Sequence, residues 1–157
     1  MPVINDDIFD ALNIGIEKES LRVINQKISQ ISHNTELFGS ALTNQFITTD
    51  FSEAQMEFVT PPFKTNSEAL NFLESIHLNV SKKIDEEILW PLSMPPFIES
   101  DSNIPIAYYG QSEAAMLKRI YRLGLSNRYG RQMQAISGIH YNFSIDDKML
   151  RYLSSDD

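Results

Sequence analysis

Three stretches of this chain set charged or polar side chains inside apolar, strand-like sequence, and a strand's period of two decides where those side chains go. In Gly15-Ile16-Glu17-Lys18-Glu19-Ser20-Leu21-Arg22-Val23 the two acids fall on one face and Ile16 on the other. In Ser137-Gly138-Ile139-His140-Tyr141-Asn142-Phe143 the same alternation separates His140 and Asn142 from Ile139, Tyr141 and Phe143. The third stretch runs from Ile47-Thr48-Thr49-Asp50-Phe51 to Glu57-Phe58-Val59-Thr60-Pro61 and adds Asp50 and Glu57. Four acids and one imidazole can therefore converge on one sheet face, and that is the ligand set of a hard divalent cation. Taken singly, each has a plainer reading. Glu17 and Glu19 read as a solvated strand face, Asp50 as a turn residue, Glu57 as an exposed strand position and His140 as a hydrogen-bonded histidine. The alternative to the plain readings rests on all five occurring in apolar strands of one small chain.

A length of 157 residues fits one domain, spanning 1–157, with room for a substantial core. The formal net charge of −8 repels phosphate backbones and anionic lipid, which argues against nucleic acid and membrane surfaces as partners. The nearest basic stretch, Lys118-Arg119-Ile120-Tyr121-Arg122 with Arg128 and Arg131, suits a small anionic ligand or no ligand. With no cysteine in the sequence, disulfides, thiolate metal sites and a cysteine nucleophile are excluded. Residues 1–7 lack the basic and apolar segments of a signal peptide, and no apolar run approaches the roughly 18 residues of a membrane span. A cytoplasmic protein is the expectation.

Residues 6–13 read as a short helix leading into a strand near 14–24, followed by a turn or hairpin over Asn25–Thr35. Phe46–Thr60 returns as strand with a break around Asp50–Glu53, and Pro61-Pro62 ends it. A long helix is expected from an N-cap at Asn66 or Ser67, carrying Ala69, Phe72, Leu73, Ile76, Val80, Ile84 and Ile88 towards Pro91. A second runs from Ser112 to a stop at Gly124 with Leu117, Ile120 and Tyr121 buried, and a third from about Asn127 through Met133. The prolines between 86 and 110 imply an extended connection, and Asp146–Leu153 begins a final helix. The sum is an α+β fold with a largely antiparallel sheet.

Carboxylates with one imidazole suit Mg2+ or Mn2+ and suit zinc less well. Like charges this close repel strongly, and a bound cation removes that cost while holding phosphate oxygens. Gly110-Gln111-Ser112 is too short for a Walker loop and lacks its lysine, so a nucleotide would be gripped through metal ions.

With Gly39-Ser40-Ala41-Leu42-Thr43, Trp90-Pro91-Leu92-Ser93-Met94-Pro95 and Asn127-Arg128-Tyr129-Gly130 added, these stretches resemble, in order and spacing, the N-terminal part of the proteobacterial glutamate–cysteine ligases over nearly all of residues 10–145. Lys18 and Ser20 stand where the family's pattern has Arg and Thr. The resemblance implies a glutamine synthetase-like fold, with a curved antiparallel sheet forming a metal-binding funnel. It implies ATP-dependent ligation of L-glutamate to L-cysteine through a γ-glutamyl phosphate, the first step of glutathione biosynthesis. It assigns Glu17, Glu19, Asp50, Glu57 and His140 to the metal site and Phe51, Tyr121, Leu125 and Gln134 to the cysteine pocket. For Tyr121 a core aromatic is the competing reading, although its spacing of four from Leu125 fits one helical face. Family members are much longer, so the resemblance also implies a fragment. A further metal carboxylate, the substrate-binding arginines and much of the nucleotide wall would then lie beyond Asp157. Two rivals stand beside this reading: another carboxylate–amine ligase of the same superfamily, and a non-catalytic metal-binding remnant.

Overall fold

The computed structural model describes residues 12–154. β1, Leu12–Ile24, is the organising strand, and every pairing it makes is antiparallel. At residues 17–21 it pairs with β4, Gln55–Val59, which pairs in turn with β3, Ile47–Thr49. Along 12–18 its other edge takes β6, Ile139–Ile145. Beyond that point the two-residue strands β2, Lys27–Ile28, and β5, Ile88–Leu89, flank its C-terminal end. β2 returns through Asn25 and Gln26, whose φ values of 48° and 62° are the paired left-handed turn that matches strand twist. This is the hairpin anticipated after residue 24.

Alternation along β1 divides the protein into two layers. Ile14 and Ile16 face one way, with Met56 and Phe58 of β4, and pack under α2, Asn66–Ser81, through Ala69, Leu73, Ile76 and Val80. Leu21 and Val23 face the other way into a second core with Phe51, Ala54, Ile104 and Ala135. On that second face the positions before Leu21 are Glu19 and Glu17, so one strand face passes from packed apolar to acidic within a few residues.

The antiparallel α+β architecture is as expected, but several boundaries differ. Residues 6–11 of the expected first helix lie outside the described residues, while Leu12 and Asn13 already belong to β1. The cap of α2 is Thr65: its hydroxyl accepts from Glu68 N, and the Glu68 carboxylate accepts in return from Thr65 N, a capping box. α2 stops at Ser81 and does not continue to Ile88. The chain turns at Asp85, where φ is 46°, and Ile88-Leu89 leaves to pair with β1. α3, Glu113–Tyr129, passes straight through Gly124 and ends only before Gly130, whose φ is 79°. One interior glycine costs about 1 kcal/mol, too little to end a packed helix. Its expected apolar face is mostly in solvent: Leu117, Ile120 and Tyr121 are exposed and Ala115 is the buried residue. The helix expected from Asn127 is instead the end of α3 followed by the short α4, Arg131–Gln134. A short α1, Thr35–Phe38, capped by Asn34, and the C-terminal α5, Asp147–Ser154, complete the chain.

Candidate functional site

Strand register brings the acids and the imidazole onto one face. Glu19 lies directly opposite Glu57 across β1 and β4, and Glu17 lies opposite His140 across β1 and β6. Directly paired residues project to the same side of a sheet with Cβ atoms about 5 Å apart. Asp50 joins them from the tip between β3 and β4, where its N–H donates to Gln55 O at 3.0 Å. Its backbone is held from two further directions. The Tyr109 hydroxyl donates to Thr49 O at 2.6 Å and to Asp50 O at 3.1 Å, and Arg122 Nε of α3 donates to Asp50 O at 2.6 Å.

The electrostatics report the crowding. Burial first, and then the charges of Asp50, Glu19 and Glu17, push the Glu57 carboxyl up to about 7, against the opposing pull of His140. Burial also raises Glu19, which is counteracted by the Gly138 N–H, by His140 and by Gln55 while Asp50 adds to it. His140 Nδ1 stands 3.7 Å from Glu17 Oε2. Glu19 is the most firmly held of the acids: its Oε2 accepts from Gly138 N at 2.8 Å and from Gln55 Nε2 at 3.0 Å. Gly138 is a glycine for a local reason. A Cβ there would come within 3.1 Å of His140 Nε2 and 3.9 Å of Glu19 Oε1, filling the space between the two side chains.

As the side chains stand, no three acidic or histidine residues among those described are gathered tightly enough to hold a metal ion. The face is open and not enclosed. A cavity of about 540 Å³ lies between the β1–β2 hairpin and residues 97–103 and is lined by none of the predicted site residues.

The four residues expected at a cysteine pocket fare differently. Phe51 is 2% exposed and packs inside the second core, and Leu125, half-buried, packs against the same core. Tyr121 is 64% exposed in this chain, and Gln134 is half-buried at the end of α4. Because α3 is unbroken, Tyr121 and Leu125 do share a helical face. Sequence reasoning missed Gln55 and Tyr109, and named Arg122 only within a basic stretch suited to an anionic ligand, not as a prop of the Asp50 backbone. Gln55 carried a signal, being a polar residue between Ala54 and Met56 in a buried strand.

An α+β protein with an acid-lined face on an antiparallel sheet is the class that fold and site define. The family model described as glutamate-cysteine ligase matches residues 4–157. The glutamate–cysteine ligase of Alcanivorax borkumensis is 51% identical over 134 residues, covering 85% of this chain and 25% of that protein. That of Clostridium acetobutylicum is 45% identical over 141 residues, covering 90% and 29%. Among solved structures, the Francisella tularensis glutamate–cysteine ligase in complex with AMP superposes with a TM-score of 0.86 at 38% identity, covering 93% of this chain and 29% of that one. A bifunctional glutathione synthetase from Pasteurella multocida gives a TM-score of 0.83 at 34% identity, covering 96% and 19%. The chain belongs to the glutamate–cysteine ligase family, and it spans about a quarter of the length of the curated relatives it matches.

Proposed function

We propose that this chain supplies the metal-bearing wall of a cytoplasmic, ATP-dependent ligase that joins the γ-carboxylate of L-glutamate to the amino group of L-cysteine, giving γ-glutamylcysteine. The observation that carries the reading is the direct opposition of Glu19 and Glu57, with the Glu57 carboxyl raised to about 7 by burial and by three neighbouring carboxylates. Above the raised pKa such crowding costs stability, and a bound cation would remove that cost. The donor set of carboxylates with one imidazole fits Mg2+ or Mn2+, and Gly138 keeps a side chain out from beside His140 Nε2 and Glu19 Oε1.

Glu17, Glu19, Asp50, Glu57 and His140 would hold the metal. When bound, such a cation neutralises phosphate and carboxylate charge during phosphoryl transfer. Around it the chain's own residues position and exclude. β1, β4 and β6 fix four strand-borne ligands in register, and Tyr109 with Arg122 pins the backbone of Asp50. Phe51 and Leu125, in and against the second core, would line the pocket for the cysteine together with Tyr121 and Gln134. The AMP bound by the Francisella relative supports an adenine nucleotide as the co-substrate. Family membership and coverage of about a quarter of the relatives support a shared site, completed by the part of the enzyme that this chain does not span. Isothermal titration with Mn2+, with and without ATP, tests the reading: saturable binding that tightens with ATP is expected. Absence of saturable binding under both conditions overturns it.

A further inference from the structure

Gln55 is 0% exposed and lies on β4 two residues before Glu57, so the two share a face. Its Nε2 donates to Glu19 Oε2 at 3.0 Å, with Ile136 O and Ser137 Oγ each 3.4 Å away. The same Glu19 oxygen accepts from Gly138 N at 2.8 Å. Gln55 Oε1, equally buried, has no partner. A strand interior filled only for packing would be served better by a leucine or methionine, since an unpaired buried carbonyl works against folding. The amide is explained by where its donor goes, and the carboxylate at that end fixes which way the amide points.

We propose that Gln55 is a positioning residue for the cation site. Together with the Gly138 N–H it occupies Oε2 of Glu19, so that Glu19 offers the ion one oxygen, Oε1. The inference rests on the reading of Glu19 as a cation ligand. Its consequence is selectivity. A carboxylate held to one oxygen suits the compact octahedral shell of Mg2+ or Mn2+, whereas Ca2+ takes more oxygens at longer distance and readily uses a carboxylate through both. Gly138 is part of the same device, because the donor N–H and the absent side chain belong to one residue: it grips Oε2 while leaving Oε1 accessible beside His140 Nε2.

The test uses the whole chain with Gln55→Leu and, closer in volume and proof against a folding failure of the first, Gln55→Met. Mn2+, Mg2+ and Ca2+ affinities are measured by calorimetry beside thermal melts in EDTA. Loss of a partner to a metal ligand typically costs 10-fold or more in affinity, so Mn2+ binding should weaken about 10-fold. The preference for Mg2+ over Ca2+ should narrow at the same time, and the melting temperature should hold or rise as the unpaired carbonyl disappears. Unchanged Mn2+ affinity and an unchanged Mg2+ to Ca2+ ratio in a folded variant overturn the inference and leave the cation site standing. So does a loss shared equally by all three ions with a lowered melting temperature, which marks a structural role. A parent chain that binds no Mn2+ removes the site, and the inference falls with it.

Discussion

Replacing Glu57 by glutamine should make the metal-free protein more stable at alkaline pH and leave it unchanged in acid. A carboxyl raised from 4.5 to about 7 binds its proton more tightly in the folded than in the unfolded chain. Its favourable contribution is therefore complete below pH 4.5 and is lost as pH rises through 7. Taken whole, the displacement corresponds to about 3 kcal/mol at pH 8. The side chain is only partly buried, and solvent screening reduces this to about 1–2 kcal/mol. Glutamine preserves the shape and deletes the charge, so Glu57→Gln should gain that amount at pH 8. For a chain of this size the gain is about 3–6 °C in melting temperature. Circular dichroism melts of both proteins in EDTA from pH 4 to 8 would show the curves coinciding at pH 4, separating between pH 4.5 and 7 and running parallel above that. Adding Mn2+ should then stabilise the parent more than the variant and reverse their order. A variant less stable than the parent at pH 8, or a difference constant across the range, would refute the like-charge account of this face.

Other expectations follow from the same geometry. His77 of α2 packs tilted against Phe58 with ring centroids 4.5 Å apart, and burial, followed by the Lys18 charge, pushes it down to about 4. Stability from its neutral ring is present above pH 6.5 and lost as pH falls towards 4. His77→Leu should abolish about 1–2 kcal/mol of that acid sensitivity, read as the change in urea midpoint between pH 7 and 4.5. Gly138→Ala forces a Cβ against His140 Nε2 at 3.1 Å and should weaken Mn2+ binding about 10-fold while shifting the melting temperature little, because the imidazole can swing away. Retained affinity would remove His140 from the site. The 157-residue chain by itself should release no ADP dependent on both glutamate and cysteine at a useful rate, since part of a site cannot preorganise phosphoryl transfer. Robust turnover in a coupled assay would contradict this.

The acidic face was legible because a strand's period of two is rigid. Once residues 17–19 and 139–143 are strands, Glu17, Glu19 and His140 have no freedom over which side they take relative to Ile16 and Tyr141. Which acid would meet which partner was not legible, since the opposition of Glu19 to Glu57 depends on register between strands whose paired residues lie 34 to 42 apart in sequence. Helix ends misled for the opposite reason. Ile84 and Ile88 continue the helical spacing of α2, yet Ile84 is buried in the first core from a turn and Ile88 pairs with β1, so tertiary pairing overrode local pattern. The apolar spacing of α3 predicted a buried face where Leu117, Ile120 and Tyr121 instead stand exposed. Gln55 and Arg122 act through contacts with Glu19 and with the Asp50 backbone, and no periodicity encodes those contacts.

The central claim is that β1, β4 and β6 present one cation-binding face. Its most direct test is paramagnetic broadening of the backbone amide signals of the chain by substoichiometric Mn2+. The account predicts broadening centred on Glu17, Glu19, Asp50, Glu57 and His140, with the α2 amides largely spared on the opposite side of the sheet. Broadening centred instead on the acidic turn at Asp85, Glu86 and Glu87, or spread evenly over the surface acids, would contradict it.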